Sequence, residues 1–236
     1  MTIDDDGRNT LGRGEGVARA TLPNDDARSG IATLILAGGL GARIGGAKPM
    51  RLLNERPLLD WVREAARMQG DPLAISVRDD TWEGSAPELE RVRDADAIQG
   101  PLAALAAGLA WARGQGARYL LTLPCDTPFL PGDLSARLRA ASVRSQKPVA
   151  LPQSAGRLHP ACGLWRTDIG LNPEDFKQGT RSSLIGLASR MGFAAATWCA
   201  IPFDPFFNIN AESDLAEAEA LLAALQAPSA IASLNR

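Results

Sequence analysis

From Ile31 onward the chain alternates short apolar runs with stretches of helical periodicity, and this alternation most limits what it can fold into. Ile31–Ala37 is an apolar run interrupted only by Thr33 and is closed by Gly38-Gly39, the pattern of a strand buried on both faces that enters a tight turn. Pro57–Gln69 carries apolar residues at 58, 62, 65 and 68, which predicts a helix with proline at its start. Leu73–Val77 predicts a second strand, Leu102–Trp111 an Ala/Leu-rich helix and Tyr119–Leu123 another buried strand. Leu134–Val143, Val149–Leu151, Ser182–Met191, Phe193–Ile201 and Ser213–Leu225 extend the series. Strands and helices in alternation predict a mostly parallel central sheet covered on both faces, a single three-layer, Rossmann-like α/β domain. Ligands in such a sheet belong at the carboxyl ends of its strands.

The chain's 236 residues suffice for one substantial core. Residues 1–30 are rich in Asp, Gly, Arg and Asn without apolar periodicity and read as a flexible leader; 31–226 form the domain, and 227–236 a loose tail. A formal charge of −2 argues against non-specific nucleic-acid binding. Three cysteines, an odd number, suggest neither a disulfide framework nor a zinc site. The charge-free stretch Ala97–Ala112 is interrupted by Gln99-Gly100-Pro101 and is too short for a membrane span. A start reading Met-Thr-Ile-Asp-Asp-Asp lacks a basic-then-apolar signal, so a cytoplasmic location is expected.

The first apolar run opens into Leu36-Ala-Gly-Gly-Leu-Gly-Ala-Arg-Ile-Gly-Gly-Ala-Lys48. A dinucleotide fingerprint is excluded because Gly45 comes one position late after Gly39 and Gly41. A P-loop is excluded because Ala47 stands where its lysine belongs, after Gly41 and Gly46. Glycines here still let backbone N–H groups approach an anion, and Arg43 and Lys48 supply charge suited to a di- or triphosphate. The loop therefore reads as a nucleotide cradle of another kind.

Asp126, in Pro124-Cys-Asp-Thr-Pro-Phe-Leu-Pro131, emerges at the end of the Tyr119–Leu123 strand, level with that loop. A carboxylate beside phosphates is explained by a Mg²⁺ ion between them; the competing reading is a turn cap with Thr127-Pro128. Cys125 reads as a small buried residue. In Phe207-Asn-Ile-Asn210 the two asparagines alternate about Ile209 and project to one side, as a neutral metal ligand or as turn-stabilising groups. His159, the only histidine, has no recognisable Ser or Cys partner and reads as pocket-lining or structural. Gln99-Gly-Pro-Leu-Ala103 starts a helix directly after Val92-Arg-Asp-Ala-Asp96, where a base or ribose could be read.

In this order the pieces resemble the molybdenum cofactor guanylyltransferases, among the nucleotidyltransferases of GT-A-like fold. The match is carried by Leu36-Ala-Gly-Gly39, Arg43-Ile-Gly-Gly46, Lys48, Gly100-Pro-Leu-Ala103, Pro124–Pro131, His159-Pro160 and Phe207-Asn-Ile-Asn210, across about residues 31 to 225. The resemblance implies Mg²⁺-dependent transfer of GMP from GTP to molybdopterin or its molybdenum form, with release of pyrophosphate. It implies that Leu36, Ala37, Gly38 and Gly39 hold the nucleotide through their backbone, Lys48 and Arg43 its phosphates, and Asp94 the guanine or ribose. Asp126 is implied as metal ligand with Asn210 beside it, and His159, Arg181, Ser182 and Asn208 as the pterin side. A monomer is expected, with cofactor-biosynthesis proteins or molybdoenzyme chaperones as protein partners. Two departures bear on the base: no aspartate precedes Lys48, and Arg78 stands where a base-contacting asparagine is expected. A cytidylyltransferase using CTP, or a nucleotide-binding protein without turnover, is the alternative.

Overall fold

A computed structural model describes residues 30–37, 48–78, 86–96, 98–169 and 183–226. Its elements run β1 (Ile31–Leu36), β2 (Leu52–Leu53), β3 (Arg56–Pro57), α1 (Leu58–Arg67), β4 (Leu73–Val77), β5 (Glu90–Arg93), α2 (Pro101–Gly114) and β6 (Tyr119–Pro124). There follow α3 (Leu134–Ser145), β7 (Val149–Ser154), β8 (Arg157–Leu158), β9 (Leu164–Arg166), α4 (Leu184–Met191), β10 (Phe193–Thr197) and α5 (Glu212–Gln226). The main sheet has the order β10-β7-β9-β6-β1-β4-β5, with β8 added to β7, while β2 and β3 form a separate small ladder.

Strand β1 lies at the centre, parallel to β4 on one side and β6 on the other. Its side chains alternate between the faces. Ile31 and Ile35 join Leu59, Val62 and Leu138 in the core under α1 and α3, whereas Ala32 and Leu34 join Leu102, Leu105, Leu109 and Leu187 under α2 and α4. These are the three layers expected. The α2 layer approaches closely, since a Cβ at Gly108 would stand 2.5 Å from Leu34 Cδ2. A third cluster, Leu53, Leu58, Ile209, Ala218 and Leu222, fastens α5 and the Asn208–Asn210 segment to the small ladder.

Several sequence expectations are corrected. Met68, placed on the apolar face of the first helix, is 48% exposed, because the helix ends at Arg67 and the face is completed instead by Leu59 and Ala66. Pro57 caps that helix rather than opening it, a shift of one position. Strands β5 and β9 escaped the periodicity. β5 reads Glu-Arg-Val-Arg, an edge strand with only Val92 buried. β9 is three residues long and runs antiparallel between β6 and β7. The carboxyl ends of β10, β7, β6, β1, β4 and β5 nevertheless share one edge, since each is parallel to its neighbour or separated from it only by β9.

Candidate active site

Along that edge the chain sets out, in order, the ends of β10 and β7, the turn entering β9, Asp126 after β6, Ala37 after β1, Arg78 after β4 and Asp94 after β5. Asp126 thus stands at the middle. It is 8% exposed, and the Thr127 hydroxyl lies 3.4 Å from its Oδ1. Its backbone carbonyl accepts the Ile209 N–H at 2.9 Å. That bond, with Ile209 buried, pins the Asn208–Asn210 segment beside Asp126 and turns both asparagines outward, exposed, as their alternation predicts. The Asn210 and Ala211 N–H groups donate to Asp214 Oδ2 at 2.7 and 2.9 Å, so Asp214 organises the entry to α5.

On the β1 side of Asp126, Leu36 and Ala37 are partly occupied by the sheet itself. The Ala37 N–H donates to the Ser76 carbonyl at 3.2 Å, and the Leu36 carbonyl accepts from Cys125 N–H at 3.3 Å. The Ala37 N–H is therefore spent inside the sheet. Asp94 is half-buried and accepts a hydrogen bond from Ser76 Oγ. Burial raises its carboxyl above the usual range, outweighing the Ser76 bond and the neighbouring Arg78 charge, both of which lower it. The structure thereby joins Arg78 and Asp94 as interacting neighbours. Next to them, α2 begins without a side-chain cap after Gly100, whose φ of 68° and ψ of −158° favour glycine. Gly38, Gly39 and Arg43 lie outside the described residues, and Lys48 opens a short 3-10 turn, Lys48–Met50.

On the other side, His159 packs flat against Phe206 with ring centroids 4.7 Å apart and an interplanar angle of 18°. Its Nε2 is 2.7 Å from Ser154 Oγ, which is in turn 2.7 Å from Asp204 Oδ1. Burial lowers the His159 pKa, outweighing the Asp204 carboxylate that raises it. Cys162, fully buried in the turn after His159, has its thiol pushed up by burial and by the Asp126 and Asp204 carboxylates, which places it within the field of both. Cys125 is buried as expected, and neither it nor Cys162 is in a disulfide. Arg181 and Ser182 lie outside the described residues. Ser76, Ser154 and Asp204 were missed by sequence reasoning. Only the Asp204-Pro205 dipeptide carried a signal, and it marks a turn rather than a site.

The donor set around Asp126 fits Mg²⁺. The ion takes hard oxygen ligands, usually one or two carboxylates completed by substrate phosphates. Asp126 and the amide oxygens of an adjacent, anchored asparagine segment are such donors. Among the described residues no three His, Cys, Asp or Glu side chains cluster, so the remaining oxygens would come from water and a bound nucleotide.

Comparison with known proteins bears on the family and the fold. A family model described as the MobA-like NTP transferase domain matches residues 33–185. A molybdenum cofactor guanylyltransferase of Cereibacter sphaeroides is 42% identical over 190 residues, covering 80% of this chain and 95% of the relative. One from Bradyrhizobium sp. (strain ORS 278) is 40% identical over 200 residues, covering 80% and 92%. Among solved structures, the molybdopterin-guanine dinucleotide biosynthesis protein A of Archaeoglobus fulgidus superposes with a TM-score of 0.64 at 21% identity, covering 82% of this chain and 99% of that one. A CMP:2-keto-3-deoxy-manno-octonic acid synthetase complexed with CTP superposes with a TM-score of 0.65 at 14% identity, covering 83% and 99%, a likeness of fold alone. The chain belongs to the MobA-like NTP transferase family.

Proposed function

We propose that this nucleotidyltransferase moves GMP from GTP onto the terminal phosphate of molybdopterin or of its molybdenum form, releasing pyrophosphate. The observation that carries the reading is Asp126. It is a buried carboxylate midway along the sheet edge, between Ala37, Arg78 and Asp94 on one side and His159 on the other. The names of the relatives that share the full domain supply the substrates.

In the reaction an oxygen of the acceptor phosphate bonds to the α-phosphorus of GTP. The bond from that phosphorus to the bridging β-phosphate oxygen breaks, and pyrophosphate leaves with the electron pair. The attacking phosphate is already ionised at neutral pH, so the protein has no proton to remove. Its work is alignment and charge neutralisation. Ala37 and the following glycines, Gly38 and Gly39, would support the base and ribose, and Asp94 with Arg78 would read the base edge. Arg43 and Lys48 would offset charge on the departing pyrophosphate. Mg²⁺, held by Asp126 with Asn210 or Asn208, would neutralise phosphate charge when bound. His159, Arg181, Ser182 and Asn208 would face the pterin.

The test mixes the protein with molybdopterin, Mg²⁺ and each of GTP, CTP, ATP and UTP, and measures pyrophosphate together with the thermal shift each nucleotide produces. Release with GTP foremost is expected. Preference for CTP would overturn the choice of base, and no release with any nucleotide would overturn transfer.

A further inference from the structure

At the carboxyl end of β7 three side chains from separate segments form one polar chain. Ser154 is completely buried, and its Oγ contacts both His159 Nε2 and Asp204 Oδ1 at 2.7 Å. A carboxylate only accepts, so the single hydroxyl proton of Ser154 goes to Asp204. The serine oxygen must then accept from the ring, which requires the proton on Nε2. Asp204 is itself held, because its Oδ1 also accepts the Phe206 N–H at 2.9 Å. The plane of the imidazole is set independently by its stacking on Phe206. Position, plane and tautomer of the ring are thus all specified, by groups about 50 residues apart in the chain.

In a neutral ring protonated at Nε2, Nδ1 is a bare acceptor, and among the described residues it has no hydrogen-bond partner. The lowered pKa of His159 agrees with a neutral ring. The backbone of His159 is equally anchored, its N–H to the Pro152 carbonyl at 2.9 Å and its carbonyl to Cys162 N–H at 3.0 Å. So much fixing of a residue whose second nitrogen is left unused among the described residues points to a ligand.

We propose that Ser154 and Asp204 are positioning residues that hold His159 as the Nε2–H tautomer, so that Nδ1 accepts a hydrogen bond from an N–H donor of the second substrate. The identity of that substrate as a pterin, which carries such donors on its ring, rests on the function proposed above.

His159 is the only histidine, so protein labelled with ring-¹⁵N histidine gives one pair of ring signals. The free full-length protein should show a protonated Nε2 and a bare Nδ1. Molybdopterin should move the Nδ1 signal, and GTP should leave it in place. Ser154→Ala should mix the tautomers and raise KM for molybdopterin about three- to tenfold, the loss of one modest hydrogen bond, with KM for GTP unchanged. His159→Asn, whose side-chain oxygen falls near the place of Nδ1, should retain more molybdopterin affinity than His159→Gln, whose amide falls near Nε2. A proton on Nδ1 in the free wild type, an Nδ1 signal indifferent to molybdopterin, or Ser154→Ala with wild-type tautomer and KM overturns the proposal. Should the wild type make no product from GTP and molybdopterin, the proposed function fails, while the tautomer of the free protein still decides the role of Ser154 and Asp204.

Discussion

Replacing Asp126 with asparagine isolates its charge from its structural duties. The substitution is close to isosteric, and the bond that anchors the asparagine segment, Ile209 N–H to the Asp126 carbonyl at 2.9 Å, belongs to the backbone and survives. Side-chain volume and that backbone bond are both kept, so the fold should lose little. A change within about 1 kcal/mol moves Tm by roughly 2–4 °C in a domain of this size. The effect on turnover should be far larger. The carboxylate is only 8% exposed, so what it holds at the reacting phosphates is poorly replaced by water. Electrostatic groups of this kind are worth about 3–4 kcal/mol in the transition state, so kcat should fall roughly a hundred- to a thousandfold. Pyrophosphate release under saturating GTP, Mg²⁺ and molybdopterin, beside a thermal melt of the same preparation, measures both quantities. Turnover within about threefold of wild type, with an unchanged melt, would refute the central role given to Asp126 and the catalytic-site assignment with it.

Other outcomes follow from single contacts. Asp94 ionises at a higher pH than an ordinary aspartate because burial outweighs Ser76 and Arg78. The folded state therefore holds its proton longer than the unfolded chain, and this group's contribution to stability declines as pH rises from the usual aspartate value to the raised one. GTP affinity that depends on ionised Asp94 should rise over the same window, and Ser76→Ala should move the rise to higher pH in calorimetric titrations. Gly70→Ala would put a Cβ 2.4 Å from the Ile31 carbonyl oxygen, a backbone atom that cannot turn aside. It should destabilise by about 1–3 kcal/mol, seen as a lower denaturation midpoint. Gly163→Ala, with a Cβ 2.8 Å from Trp165 Nε1 and 3.1 Å from the Pro160 carbonyl, should cost a similar amount and disturb the turn that carries His159, raising KM for the acceptor more than for GTP.

Much of the architecture was legible because it is written in local periodicity. β1 and β4 are apolar apart from the buried Thr33 and Ser76, and β1, β4 and β6 begin where their runs predict, because a central parallel strand must bury both faces. The edge strand β5 was illegible for the complementary reason. With one flank free, it satisfies its backbone with a single buried residue, Val92, and keeps charged side chains in solvent. β9 was illegible because three residues are too few to show a period, and its place between β6 and β7 depends on the whole sheet. Of the candidate site, Asp126 was singled out by its position after a predicted strand and Asn208 and Asn210 by their alternation about Ile209, while Asp94 came from the family resemblance and His159 read from its surroundings only as pocket-lining or structural.

By itself the sequence determined the layered α/β class, the sheet edge at which a ligand is expected and the residue types offered there, since these depend on neighbours within a turn or a strand. Tertiary structure alone decided which of those residues act together. Ser76 reaches Asp94 across 18 residues, Ile209 is tied to Asp126 across more than 80, and Asp204 reaches Ser154 across 50. Such pairs are made by strand order and register, which no local pattern encodes, because a hydrogen bond constrains distance in space and leaves separation along the chain free.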